Sequence, residues 1–194
     1  MAIDTGLAIG CTDLQATGGI KQILLRSWAA GDTIVYGSST HTITSIKDTG
    51  GTDADWGVYE FKNETPALTI NATKENGSTA FECGLSFTLP RMEVAKFNAI
   101  QDMLNACLMI IAVDTNDNAF VLGVSEKYRN ESVAERSQTF GQFASAEGGS
   151  GAAYSDENGV TISLMARQFE MPREYAPSGT GITVAATGLT ATTD

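Results

Sequence analysis

The chain has 194 residues, 42% of them hydrophobic, with 12 Lys and Arg against 23 Asp and Glu and a formal net charge of −11. That length suffices for one domain with a sizeable core. The acidic balance, with no basic run, excludes a protein that grips nucleic acid through its phosphates. Only 18% of residues are charged, below the roughly 25% of an average soluble domain. The surface therefore relies on Thr, Ser, Asn and Gly, a composition suited to strands and turns.

Residues 1–19 are rich in Gly, Ala and Thr and form an expected N-terminal arm closed by Gly18-Gly19. Ile20–Trp28 is a predicted strand, and Ala29-Ala30-Gly31-Asp32 turns the chain. Thr33–Tyr36 and His41–Lys47 predict a short hairpin, and Asp48–Asp55 a polar loop. Trp56–Lys62 and Ala67–Lys74 are the next strands, and Asn76-Gly77 is a tight-turn signal. Phe81, Cys83, Leu85, Phe87 and Leu89 then alternate with Glu82, Gly84, Ser86 and Thr88, which gives one dry and one wet face.

After Pro90 the period changes. Val94, Phe97, Ile100, Leu104, Cys107 and Leu108 fall at helical spacing, predicting one amphipathic helix over 91–108 with Val94, Phe97, Ile100 and Leu104 as its core contacts. Cys107–Asp114 reads as a buried strand, joined through Thr115–Asn118 to a hairpin partner at Ala119–Gly123. Residues 125–158 are long, polar and irregular, yet hold Tyr128, Phe140, Phe143 and Tyr154; they predict a functional loop or arm. Val160, Ile162 and Leu164 alternate in a final strong strand, and 177–194 is a tail low in charge. The elements describe a mainly β chain with a single domain over 20–176.

Motifs for chemistry fail one by one. The lone His41 sits between threonines in a strand-like stretch and reads as structural. Asp114-Thr115-Asn116-Asp117-Asn118 opens like a calcium loop, but Ala119 and Ser125 stand where Gly and Glu are required, so a hairpin turn is the better reading. Gly148-Gly149-Ser150-Gly151 lacks the Lys-Ser or Lys-Thr of a phosphate cradle. Asp53/Asp55 and Asp156/Glu157 read as solvated turn residues. Cys11, Cys83 and Cys107 lack zinc-ligand spacing, and Cys83 and Cys107 read as small core residues. The start MAIDTGLAIG lacks the pattern of a signal peptide, and the apolar run Ala106–Val113 is too short to span a bilayer. The expectation is a non-enzyme with no catalytic residue, metal or cofactor, folded in a reducing cytoplasm and not inserted in a membrane.

The order of features is nonetheless informative. Gly18-Gly19-Ile20-Lys21 opens an early strand, and Phe81–Leu89 leads through Pro90 into the helix. A buried strand and hairpin closed by Leu122-Gly123 follow, then a Gly-rich stretch, Ser155-Asp156-Glu157-Asn158-Gly159, and a strand ending in Glu170-Met171-Pro172-Arg173. Over residues 18–176 this order resembles the tail tube (major tail) proteins of tailed bacteriophages. The resemblance implies a β-sandwich or partly closed β-barrel with a flanking helix and extended loops and termini. It also implies hexameric rings that stack into a conduit for DNA ejection. Expected partners are further copies of the chain, a tail terminator, baseplate or hub proteins, a sheath in contractile tails, and DNA passing without specific binding. The expected location is the virion tail, assembled in the cytoplasm of a bacterial host.

Within that reading Glu82, then Glu60 and Glu170, are candidates for the lumen wall. Tyr128, Phe140, Phe143 and Tyr154 are candidates for contacts between rings. Two alternatives stand beside it. One is a related tail terminator or baseplate tube protein. The other is a β-sandwich module for carbohydrate or host attachment, for which Trp28, Trp56, Tyr59 and Tyr128 are the candidate aromatic platform.

Overall fold

The computed structural model describes residues 18–37, 41–52, 54–62, 64–126, 139–153, 156 and 158–176, and the backbone at 182–183 and 190–191. In chain order the strands are β1 Ile20–Ser27, β2 Thr33–Tyr36, β3 Thr42–Lys47, β4 Gly57–Tyr59, β5 Ala67–Glu75 and β6 Ser78–Pro90. After the helix α1, Val94–Leu104, come β7 Leu108–Asp114, β8 Ala119–Leu122, β9 Gln142–Gly149, β10 Gly159–Gln168 and β11 Arg173–Tyr175. Two short strands, β12 Ile182–Thr183 and β13 Thr190–Ala191, pair with each other. Among the described residues the fold is mainly β with one helix, in two principal sheets.

The larger sheet has seven strands in the order β2-β3-β11-β8-β7-β1-β4, and the smaller has four in the order β5-β6-β10-β9. They pack face to face over a first core. Cys83, Leu85, Phe87 and Leu89 of β6 and Val160, Ile162, Leu164 and Ala166 of β10 meet Ile23, Leu25, Leu108, Ile110 and Leu122 of the larger sheet. The alternation in Phe81–Leu89 is thus the core-facing side of the smaller sheet.

The larger sheet has a second core on its other face, built from Leu24, Ile43, Ile46, Met109, Ile111 and Val121 and capped by Trp28, Trp56 and Phe140. That sheet is strongly curled. β1 and β2 lie five places apart in strand order, about 24 Å in a flat sheet. The chain between them nevertheless forms a tight turn, with the Asp32 N–H donating to Ala29 O at 3.1 Å. Arg26 of β1 reaches Asp32 with two nitrogens at 2.9 and 3.3 Å, and donates to Asp55 O at 3.1 Å. Asp32 is buried, so this two-pronged ion pair fastens the curl where water competes little.

Several expectations change. The helix begins later and ends earlier than 91–108. Arg91 takes a left-handed φ of 61°, and Asn158 holds the connection. Its carbonyl accepts the Arg91 N–H at 2.7 Å, and its side-chain oxygen accepts the Met92 N–H at 3.0 Å. Val94, Phe97 and Leu104 are not core contacts, being 73%, 42% and 47% exposed. Met103 is the helix's one buried residue, and Ile100 packs against the first core only in part. At about 100° per residue, the apolar arc runs in order through Met103, Ile100, Leu104, Phe97 and Val94, about 180° in all. The spacing reports that arc correctly, but the subunit covers only its Met103 end. Cys107 is exposed rather than core, whereas Cys83 is buried, and burial pushes its thiol up to about 11.

Residues 125–158 are not one irregular arm, because β9 lies inside them and pairs with β10. The hairpin at Thr115–Asn118 forms as read. The Asp114 carboxylate accepts backbone N–H groups of Asn116 and Asn118, both at 2.8 Å. Desolvation pushes that carboxyl up, but the hydrogen bonds from Asn118 and Asn116 outweigh it and hold it below the ordinary range.

The contrast along α1 is testable. Met103→Ala should cost roughly 2–5 kcal/mol as a buried truncation, whereas Phe97→Ala should change monomer stability by less than about 1 kcal/mol. Urea unfolding of the dilute monomer reads both. A larger loss for Phe97→Ala than for Met103→Ala would contradict the burial described here.

Candidate assembly surface: the open four-stranded sheet

Strand register assigns the second face of the smaller sheet residue by residue, because directly opposed residues point the same way. Asn71, Glu82 and Arg167 are opposed in successive strands, as are Ala67, Ser86 and Ser163 with Ser145. Thr88, Thr161 and Glu147 form another row, and the Thr88 and Thr161 hydroxyls are 2.9 Å apart. This face is broad and wet, composed mostly of small hydroxyl and amide side chains with Met165 as an exposed apolar residue among them. Among the described residues of these four strands it carries two carboxylates, Glu82 and Glu147, and one cation, Arg167.

The edges of the sheet are as informative as its face. Among the described residues neither β5 nor β9 has a partner on its outer side. They span 9 and 8 residues, so each exposes a long row of backbone donors and acceptors. The edges of the larger sheet are short by comparison, with 4 residues in β2 and 3 in β4. Short edges are poor templates for pairing and long ones are good templates. The β5–β6 hairpin also projects past the core. Its turn is built by Asn76 at φ 49° and Gly77 at φ 82°, and residues 69–74 are exposed.

The three lumen candidates separate. Glu82 lies exposed on the wet face. Glu60 follows β4 and stands beside Lys21 and Gln22, away from that face. Glu170 is held elsewhere again. Its carboxylate accepts the Glu126 N–H at 2.6 Å and Arg173 at 2.9 Å, and Arg173 also pairs with Glu126 and lies over the Tyr36 ring. Burial opposes the charge on Arg173, but Glu170 and Glu126 outweigh it and raise its pKa. Neither Glu60 nor Glu170 therefore shares a surface with Glu82.

The four ring-contact candidates also separate. Phe140 is buried in the second core with its ring centroid 5.4 Å from that of Trp28, so it is not a contact between rings. Phe143 is half-buried against the first core. Tyr128 and Tyr154 lie outside the described residues. The aromatic platform of the attachment-module reading is not assembled by its described members. Trp28 and Trp56 are buried, and Tyr59 packs edge-on to Phe87 at 6.4 Å. His41 Nε2 lies 2.8 Å from Met171 O.

The decisive features missed in the sequence are β9 and the two open edges. The chain matches no protein-family model, and no curated protein is similar enough in sequence to count as a relative.

The two-faced character of β10 gives a direct test. Met165→Thr, on the wet face, should change stability by less than about 0.5 kcal/mol. Ile162→Thr, three residues away in the first core, should cost about 2–3 kcal/mol through lost packing and a buried hydroxyl. Equal effects in thermal unfolding would refute the assignment of faces.

Proposed function

We propose that this chain is a structural subunit of a tube, of the kind that forms the tail tube of a tailed bacteriophage, and that it assembles by joining its four-stranded sheets edge to edge into rings. The observation that carries this reading is the smaller sheet itself: a fully antiparallel sheet of four strands with two long open edges and one polar face. Four is an even number, so β5 and β9 run in opposite directions. Rotation about a ring axis preserves strand direction along that axis. The β9 of one copy therefore meets the β5 of the next antiparallel, and the pattern continues around the ring without a defect. Closure removes every free edge of that sheet.

The layering supports the same arrangement. The curled seven-stranded sheet is the bulkier layer and fits the larger outer circumference. The smaller sheet then becomes the inner wall, with its polar face toward the lumen. Six copies would place about 24 strands at ~4.8 Å, a circumference of about 115 Å and a backbone diameter of about 37 Å before strand tilt widens it. That bore admits a nucleic acid duplex. Two described cations border that face, Arg167 beside Glu82 and Lys62 beside Thr88 and Glu147; they stand at opposite ends of the strands and form no cluster, so DNA phosphates find little adhesive surface.

Negative-stain microscopy and mass measurement of the purified protein test this reading. Rings or tubes are expected, and a strict monomer at every concentration and ionic strength would overturn it. Glu82→Lys should leave rings intact, because its position is exposed, but should place a second cation beside Arg167. DNA release in an ejection assay should then slow, as phosphate attraction replaces repulsion within about 8–10 Å of the wall. Unchanged release would move Glu82 off the lumen.

A further inference from the structure

The helix and the projecting hairpin each carry an apolar surface that the subunit leaves uncovered. α1 has 11 residues, a length marginal for an isolated helix, so its stability depends on packing. Its own subunit buries only Met103 and part of Ile100, while Leu104, Phe97 and Val94 continue the same arc in solvent. β5 shows the converse. Leu68, Ile70 and Ala72 are opposed to Leu85, Cys83 and Phe81, so they point to the core-facing side of the sheet. Along the hairpin that side runs out of cover, leaving Ile70 36% exposed and Ala72 exposed.

These two surfaces lie at opposite ends of one sheet. α1 packs beside β9, one open edge, and the apolar side of β5 belongs to the other. One copy has a helix lacking part of its sheet, and the other end of the same copy has a sheet lacking a helix. We propose that α1 is the joint between neighbouring copies, its uncovered flank receiving the exposed core-facing side of the next copy's β5, so that each subunit's helix completes the apolar layer of its neighbour.

This rests on the ring reading above and adds the residues that make the contact. The occupant is a second copy of the chain because the sheet addition that extends β9 carries Ile70 and Ala72 into the layer where α1 stands. The joint is head-to-tail: each copy uses α1 on one side and β5 on the other. Such contacts close into rings, whereas a self-complementary patch would stop at a dimer.

The head-to-tail geometry permits a complementation test. Phe97→Glu should disable the helix side and Ile70→Glu the strand side. Both positions are partly exposed in the monomer, so far-ultraviolet circular dichroism and thermal melts should match the parent. Each variant alone should associate at least about 100-fold more weakly than the parent, because assembly would bury an unpaired carboxylate. Mixed one to one, the two should form a heterodimer and stop there, because the mixture retains one intact joint per pair. Light scattering after size exclusion reads all three samples.

Rings formed by Phe97→Glu as readily as by the parent would overturn this inference and leave the ring reading standing. Folded variants that are monomeric alone and remain monomeric when mixed would overturn it too. A parent that never assembles would remove the ring reading along with it. A second measurement covers a variant that misfolds: Phe97→Cys with Ile70→Cys in a Cys11→Ser, Cys107→Ser background, treated with a short bismaleimide. A ladder of covalent multimers supports the joint, and the absence of a ladder from assembled rings overturns it.

Discussion

The molecule depends on one strand being dry on both faces. β7 sends Leu108, Ile110 and Ala112 to the first core and Met109, Ile111 and Val113 to the second. Its neighbour β1 does the same over a shorter stretch, with Ile23 and Leu25 in the first core and Leu24 in the second. Because β7 cannot present either face to water, the larger sheet must be covered twice: by the four-stranded sheet on one side and by its own curl on the other. The curl needs β1 and β2 to approach, and the part-buried Arg26–Asp32 pair sits at that corner. Removing Arg26 would leave the buried Asp32 carboxylate without its cation, which is far more damaging than never having had the pair. The corner is therefore a point where sequence change is poorly tolerated.

The legible parts of the fold were those with a local signal. β6 announced itself by period two, β2 and the β7–β8 hairpin by their turns, and β7 by an unbroken apolar run bounded by Asp114. β9 gave no such signal. Its sequence, QFASAEGG, has no β-branched residue, and it is a strand because β10 offers a complete row of backbone partners. β11 has three residues and pairs in parallel with β3 across a long stretch of chain, a contact no local pattern encodes. Phe140 looked like a spare aromatic in a polar loop because Trp28, the ring it packs beside, lies more than a hundred residues earlier in the chain. The helix is the instructive case. Its apolar arc was visible, but a wide arc does not say which part the chain's own sheet covers.

The candidate surface was half legible. Glu82 was placed on a wet face by alternation alone, and that holds because period two is a property of the backbone. Glu60 and Glu170 were grouped with it only by charge and strand-like context. One lies beyond a three-residue strand, and the other is drawn into the Arg173 cluster. The global charge of −11 also misleads if spread evenly. The described strands of the polar face hold two carboxylates and one guanidinium, with Lys62 at its margin, so in the proposed tube low adhesion would come from scarce cations and many small hydroxyls more than from strong repulsion.

Exposed backbone is the remaining physical question, and it bears on why such a sheet should exist at all. Long edges are ordinarily blunted by bulges, prolines or charges. β9 has a bulge near Ala144 and β5 has Lys74, but neither strand contains an interior proline. A chain that kept these edges free in solution would risk irregular pairing with its own kind. A chain that uses them gains hydrogen bonds along 8 or 9 residues per edge, while the uncovered flank of α1 and the apolar side of β5 set which edges meet. The helix then supplies what the backbone cannot. Ladder hydrogen bonds are nearly the same for any two strands, whereas an apolar notch beside β9 distinguishes β5 from the short strands at the ends of the curled sheet. Strength would come from the ladder and register from the helix, a division of labour that turns an aggregation hazard into a closed assembly.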